Sequence, residues 1–161
     1  MITFLERVYL AAPCQHPLAE AFNQRLVTLL REYNFPMWCP QEYWQELQSA
    51  HPDWSYEQIK AEHDTDRRDV LMRANLVVAV AYGEDLDPHT ALECGIAIGR
   101  GIDVIVVQNK HLAELAQPLS LTPPANLFCT RTISVPEEEA RLCDALIPVM
   151  NRFFVSQRTW A

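Results

Sequence analysis

Two short apolar runs near the middle of the chain predict buried strands. They are Leu-Val-Val-Ala-Val-Ala at residues 76–81 and Ile-Asp-Val-Ile-Val-Val at residues 102–107. Runs that are this short, rich in β-branched residues and almost free of charge are typical of strands inside a parallel sheet. Residues 7–13, 35–40 and 127–135 are predicted as three further extended segments.

The segments between these strands carry helix signals. Residues 17–33 place apolar side chains on one face at helical spacing: Leu18, Ala21, Phe22, Leu26, Leu29 and Leu30. Ser55 predicts the N-cap of a helix that runs to about Arg73, and Pro136 predicts the start of a C-terminal helix that reaches about Phe154. Strands and helices alternate, so we predict one α/β domain over residues 1–161. Its sheet is doubly wound (flavodoxin-like or Rossmann-like), open, mostly parallel and five-stranded, with helices on both faces.

Residues 41–54 show neither pattern, and we predict an irregular segment. The stretch is polar and aromatic, with Tyr43, Trp44, His51 and Trp54. Long loops of this composition often serve as lids or binding loops. The alternative is a surface loop that its aromatic side chains hold in place, and both interpretations stay open.

The segment between the two central strands, residues 87–101, is the strongest candidate for chemistry. Strand, helix and strand make a βαβ unit here, and ligands bind at the carboxyl ends of the strands in such sheets. Asp87 lies in the loop at that end, and Glu93 lies about a turn and a half into the helix. Two carboxylates in one crevice suit the cleavage of a glycosidic bond, as nucleophile and as acid. The alternative is that both are ordinary partners of the helix N-terminus, with Asp87 as a cap.

Composition narrows the classes of partner. The net charge is −8 and the basic residues are scattered, which argues against nucleic acid. The sequence has no apolar stretch of membrane-spanning length and no signal-peptide pattern, so we expect a cytoplasmic protein that does not bind membranes. The five cysteines are widely spaced and include no Cys-x-x-Cys pair, which indicates reduced thiols rather than disulfides or zinc ligands. No metal ion or organic cofactor is implied.

Several stretches together resemble the nucleoside 2-deoxyribosyltransferase family. The most specific is Gly-Glu-Asp-Leu-Asp-Pro-His-Thr-Ala-Leu-Glu-Cys-Gly-Ile-Ala at residues 83–97. It is similar to the family's Gly-x-x-x-Asp-x-Gly-Thr-x-x-Glu-x-Gly-x-Ala. Weaker similarities are the first strand and its helix, Cys-Pro-Gln at 39–41, Arg-Ala-Asn at 73–75, and Pro-Ala-Asn-Leu at 124–127.

The resemblance implies a role for each matching residue. Glu93 would be the nucleophile that takes the deoxyribosyl group on its carboxylate, and Asp87 would be the acid/base beside the leaving nucleobase. Tyr9 would hydrogen-bond to Glu93 and orient it; the alternative is a core aromatic. Asn126 would complete the site of a neighbouring subunit, which implies a homo-oligomer, a dimer or a hexamer; the alternative is a residue that braces a turn.

The resemblance also implies where the nucleobase lies. It would contact Cys14 and Gln15, in the loop after the first strand, and the region of Trp44. An acid of the cluster Asp64, Asp66 and Asp69 would read the edge of the base, and the family's base-binding acid falls on Arg67 or, with a shift of one residue, on Asp66. A solvated helix face is the alternative for these aspartates.

Two departures from the family bear on the substrate. His89 stands where the family usually has Gly, so it is either a titratable contact to the substrate or a helix-start residue without a role. The loop at residues 12–17 has two prolines and no arginine, and it therefore lacks the phosphate cradle of relatives that hydrolyse 5′-monophosphates. We expect an unphosphorylated small-molecule nucleoside and a nucleobase as substrates, with transfer to another base or to water. The alternatives are a nucleoside or nucleotide N-glycoside hydrolase and a catalytically silent nucleotide-binding module of the same fold.

Overall fold

Five parallel strands form the centre of the molecule. The computed structural model of the chain describes residues 7–14, 16–115, 131–136 and 138–158. The strands are β1 (Val8–Ala11), β2 (Met37–Trp38), β3 (Leu76–Tyr82), β4 (Asp103–Asn109) and β5 (Arg131–Ser134). Their order in the sheet is β2-β1-β3-β4-β5, and every neighbouring pair is parallel. This confirms the predicted doubly wound α/β fold.

Helices connect the strands. They are α1 (Pro17–Glu32), α2 (Pro40–Ala50), α3 (Tyr56–Met72), α4 (Pro88–Gly99) and α5 (Leu142–Arg158), with 3-10 turns at Lys110–Leu115 and Glu139–Arg141. Ser55 caps α3 as predicted: it accepts from the backbone N–H of Gln58, whose side chain accepts from the Ser55 N–H in return. None of the helices in the described part of the chain has both the length and the apolarity that a membrane crossing requires.

The prediction of an irregular segment at residues 41–54 is wrong over most of its length, because residues 40–50 form α2. Pro40 is the first residue of this helix, a position where the missing N–H of proline leaves no bond unmade. The residues that follow are mainly good helix formers. Tyr43, Trp44 and Leu47 recur at helical spacing, and Leu47 is buried.

The C-terminal helix starts later than predicted. Glu138 has extended backbone (φ −90°, ψ 100°), a 3-10 turn follows, and α5 begins at Leu142 instead of Pro136. The helix then continues through Pro148 to Arg158. Glu138 and Glu139 therefore precede the helix.

The two faces of the sheet bury separate apolar clusters. On one face, Val8 and Leu10 pack with residues of α1 and α5; on the other, Tyr9 and Ala11 pack with residues of α3 and α4. Side chains alternate between the faces along a strand. Tyr9 is therefore directed to the side of the sheet on which α4 lies.

Candidate active site

Asp87 ends the loop after β3 and caps α4. Its Oδ1 accepts from the backbone N–H groups of His89 (3.0 Å) and Thr90 (3.2 Å), and its Oδ2 accepts from the Thr90 hydroxyl. Pro88 occupies the first turn, where a proline is well tolerated. The capping role that the sequence left as an alternative is therefore present. It fixes the direction in which α4 leaves the sheet.

Glu93 lies one and a half turns into α4 and is buried, with 5% of its surface exposed. Its Oε1 accepts a hydrogen bond of 2.5 Å from the Tyr9 hydroxyl. Burial raises the pKa of Tyr9 far above its usual range, and the Glu93 carboxylate raises it further. The phenol therefore stays protonated and donates, which is the contact that the sequence predicts.

Two basic side chains approach the same oxygen of Glu93. Arg67 Nε lies 3.4 Å from Oε1, and His89 Nε2 lies 3.6 Å from it. Interaction with the Glu93 carboxylate raises the pKa of His89 above its ordinary 6.5, although partial burial and Arg67 act in the opposite direction. Oε1 of Glu93 is thus the oxygen that Tyr9, Arg67 and His89 all approach.

Glu93, Arg67, His89 and Asp87 lie on the wall of an open cavity of about 480 Å³, a size typical of small-molecule sites. Its lining residues are Ala12, Pro13, Cys14, Pro40, Trp44, Tyr56, Lys60, His63, Asp64, Arg67, Tyr82, Asp87, His89 and Glu93. The structure therefore brings five of the sequence-predicted residues into one cavity: Cys14, Trp44, Asp87, His89 and Glu93.

Helix α3 contributes a stripe of polar residues to this wall, of which the family resemblance points to Asp64 and Arg67 but not to Lys60 and His63. Lys60, His63, Asp64 and Arg67 recur at i, i+3, i+4 and i+7 of α3, so they share one face, and all four line the cavity. Lys60 pairs with Asp64. Charged residues lie on several faces of α3, so this spacing alone does not mark the cavity-facing side of the helix in the sequence.

Asp66 does not join this cavity. It accepts a hydrogen bond from Tyr43, and both line a second cavity of about 290 Å³ together with Asp69 and Arg73. Of the two positions that the family comparison allows for a base-binding acid, the one that faces Glu93 is occupied by Arg67.

Aromatic packing shapes the wall opposite the sheet. The ring centroid of Trp44 lies 5.5 Å from that of Tyr56 and 5.2 Å from that of His63. His63 is buried, and its Nε2 lies 2.8 Å from the Pro40 carbonyl oxygen. Helices α2 and α3 are therefore tied together where they form the wall.

Cys14 is exposed, and its thiol donates to the Ala12 carbonyl oxygen (3.2 Å). Desolvation by the surrounding protein raises the pKa of Cys14 to about 12, and neighbouring thiol and carboxyl groups add to the effect. Only a thiolate is strongly nucleophilic, so a polar or packing role is left for this side chain.

Gln15 and Asn126, which the sequence also assigns to the site, lie outside the described residues. Within those residues, no group of three or more His, Cys, Asp or Glu side chains is arranged to hold a metal ion.

Comparison with known proteins identifies similar chains. The family model described as nucleoside 2-deoxyribosyltransferase matches residues 8–127. No curated protein matches the sequence significantly. A solved 2-deoxyribosyltransferase from Bacillus psychrosaccharolyticus is 16% identical, with a TM-score of 0.54 over 63% of this chain and 72% of that one. A conserved protein from Enterococcus faecalis V583 is 19% identical, with a TM-score of 0.55 over 89% and 98%. A CMP N-glycosidase from Clostridium botulinum is 20% identical, with a TM-score of 0.47 over 86% and 96%.

Proposed function

The chain belongs to the nucleoside 2-deoxyribosyltransferase family, and on that premise we propose that it cleaves the N-glycosidic bond of 2′-deoxynucleosides with Glu93 as the nucleophile. The family match supports transferase or N-glycosidase activity as the broad class. Within that class, we assign transfer of the deoxyribosyl group to a second nucleobase, with water as the competing acceptor.

The observation that carries this proposal is the Glu93 carboxylate. Only 5% of its surface is exposed, yet it lines a cavity whose size suits a nucleoside. A carboxylate removed from solvent is costly unless it is paired and hydrogen-bonded, and here Tyr9 and Arg67 supply those partners through Oε1. A buried acid therefore occupies a position in the cavity wall where apolar packing alone would favour a neutral residue.

The proposed reaction has two halves. A Glu93 carboxylate oxygen attacks C1′ of the sugar, the C1′–N bond breaks, and its electron pair goes to the base nitrogen, which gains a proton. In the second half, a nitrogen of another base or the oxygen of water attacks C1′, loses its proton and releases the Glu93 carboxylate. Two displacements at C1′ through one covalent intermediate retain the configuration of this carbon, as in retaining glycosidases.

We assign an unphosphorylated nucleoside as the substrate. The loop between β1 and α1 offers the cavity Ala12, Pro13 and Cys14, and a proline has no N–H to donate to a phosphate. Lys60 is already paired with Asp64, and Arg67 with Glu93. The cations on the cavity wall are thus engaged by carboxylates of the same wall.

Incubation with a panel of 2′-deoxynucleosides, with and without free adenine, tests the proposal. We expect new deoxyadenosine by chromatography with the native chain and none with Glu93→Ala. Intact-protein mass spectrometry should detect one added deoxyribosyl group on the native chain during turnover. Glu32→Ala, which removes an exposed glutamate on α1, is the matched control and should retain full activity.

The other outcomes discriminate the alternatives. Free base that forms without exchange, and that depends on Glu93, would assign the chain as an N-glycoside hydrolase. Stabilisation by nucleosides in thermal unfolding, without turnover by either chain, would assign it as a silent binding module. Turnover that survives Glu93→Ala would refute the assigned nucleophile.

A further inference from the structure

The carboxylate of Asp87 accepts three hydrogen bonds at the start of α4. Oδ1 accepts two backbone N–H groups of α4, and Oδ2 accepts the hydroxyl of Thr90. One lone-pair position of Oδ2 is left beside this hydroxyl. A proton transferred by Asp87 would therefore come from the group that also holds the start of α4, which restricts how this carboxylate can move.

His89 has no such restriction. It lies one helical turn before Glu93, its Nε2 is 3.6 Å from Glu93 Oε1, and the ring lines the same cavity. Half of its side-chain surface is exposed, against 6% for that of Glu93. A substrate whose C1′ meets the buried carboxylate therefore lies within reach of the imidazole.

We propose that His89, rather than Asp87, gives the proton to the departing base and takes a proton from the incoming acceptor. This assignment rests on the proposed glycosidic reaction. Asp87 is then the residue that positions α4, and with it both His89 and Glu93.

The charges around His89 favour its protonated form. Glu93 on the same helix raises the pKa of His89 most strongly and Asp87 at the cap adds to this, while partial burial and Arg67 on α3 lower it. The other titratable groups on the cavity wall are Tyr56, Lys60, His63 and Asp64 on α3, Cys14 after β1, and Tyr82 at the end of β3. The net result is a pKa above the ordinary 6.5, so the imidazolium persists nearer to neutral pH.

The proton balance closes on these groups alone. In the first half, the Nε2 proton of His89 passes to the base nitrogen as that nitrogen takes the electron pair of the C1′–N bond. The imidazole is then neutral. In the second half, it accepts the proton that the attacking water or base loses, and Glu93 regains its carboxylate.

Kinetics of three variants against pH test the assignment: His89→Gln, Asp87→Asn and, as the matched control outside the cavity, His111→Gln. Each is assayed with 2′-deoxyguanosine and with 7-methyl-2′-deoxyguanosine, whose cationic base leaves without a proton. Because Asn is also a good N-cap, Asp87→Asn preserves the capping contact. Thermal unfolding of each variant verifies that it is folded.

We expect the kcat of the native chain to fall as the pH rises through the pKa of His89. His89→Gln should lower kcat for 2′-deoxyguanosine about 10²- to 10⁴-fold, as is typical of a lost general acid, and should abolish this alkaline limb. It should change kcat for the 7-methyl substrate far less. Asp87→Asn and His111→Gln should retain the limb.

Three outcomes would overturn this assignment. Asp87→Asn that abolishes the alkaline limb while His89→Gln retains it would return the acid role to Asp87. Equal losses with both substrates in His89→Gln would show that the ring binds the substrate without moving a proton. If the native chain cleaves neither these substrates nor any 2′-deoxynucleoside of the panel, the proposed function itself fails, and this result is distinct from the other two.

Discussion

At the scale of single residues, the candidate site depends on a contact between side chains 84 positions apart in the sequence. Tyr9 on β1 donates to Glu93 on α4 across a buried interface. A short charge-assisted hydrogen bond of this kind orients a carboxylate as well as stabilising it. One oxygen of Glu93 is thereby fixed by the protein, and the carboxylate meets the cavity in a defined orientation.

Replacement of Tyr9 by Phe should therefore impair turnover more than folding. The loss of a hydrogen bond to a charged group amounts to about 1.5–3 kcal/mol, which corresponds to a roughly ten- to hundredfold fall in kcat. Tyr43→Phe is the matched control, because it removes a similar bond from Asp66 in the second cavity. Steady-state kinetics of both variants measure the difference, and an equal fall in both would contradict an orienting role for Tyr9.

The sequence locates Asp87 and Glu93, because a motif within one βαβ unit constrains them, and the family resemblance adds Tyr9. It does not determine that Arg67 reaches Glu93. That contact depends on how α3 is rotated about its axis, and the apolar periodicity of α3 is weak, with many charged residues on several faces. For the same reason, periodicity does not decide whether Asp66 or Arg67 faces the cavity.

At the scale of elements, the strands were predictable and α2 was not. Strands β3 and β4 are buried runs of β-branched residues, a pattern with few competing interpretations. Residues 40–50 begin with a proline and carry several aromatic side chains, features shared by helix starts and by loops. The tertiary contact that distinguishes them, His63 against the Pro40 carbonyl, comes from a different helix.

Three glycines at element ends allow strain and crowding to be separated. Gly83 has φ +63°, and a Cβ there would lie 3.0 Å from the Ala113 Cβ. Gly101 has φ +74° but open space around it. Gly99 has open space and no positive φ. Alanine in a left-handed conformation costs about 1–3 kcal/mol. In the last helical residue, by contrast, alanine is neutral or favourable.

We expect destabilisation in the order Gly83→Ala, then Gly101→Ala, with Gly99→Ala neutral or slightly stabilising. Urea unfolding of the three variants gives the free energies of unfolding. Gly83→Ala adds a steric contact to the backbone strain, whereas Gly101→Ala adds strain alone. The difference between their losses in free energy of unfolding therefore measures how tightly the 3-10 turn after β4 packs against the end of β3. Equal values for the two would show that this turn yields freely.

At the scale of the whole molecule, the groups around Glu93 come from β1, α3 and α4 on one side of the sheet. The other side is closed by α1 and α5 around its own apolar cluster. The chemistry of the described residues is therefore confined to one layer. Asn126, which the sequence assigns to a neighbouring subunit's site, stays a prediction.

Mixing two inactive variants tests that prediction. If Asn126 acts in a neighbouring subunit, a mixed dimer of one Glu93→Ala chain and one Asn126→Ala chain has one intact site. That site combines Glu93 from the second chain with Asn126 from the first. Statistical exchange then restores about a quarter of the native activity. Sedimentation gives the assembly state of each sample, and Glu93→Ala mixed with itself is the control. No recovery after verified exchange would place Asn126 within its own site or outside any site.

Helix α4 has one further property, which concerns how the site can be observed. Leu92 is 61% exposed and Glu93 5%, although they are consecutive, because the helix turns about 100° between them. A spectroscopic label at position 92 would lie in solvent, next to the residue that we propose as the nucleophile. The helix therefore provides a reporter position for real-time detection of the proposed covalent intermediate, adjacent to Glu93 and outside the cavity lining.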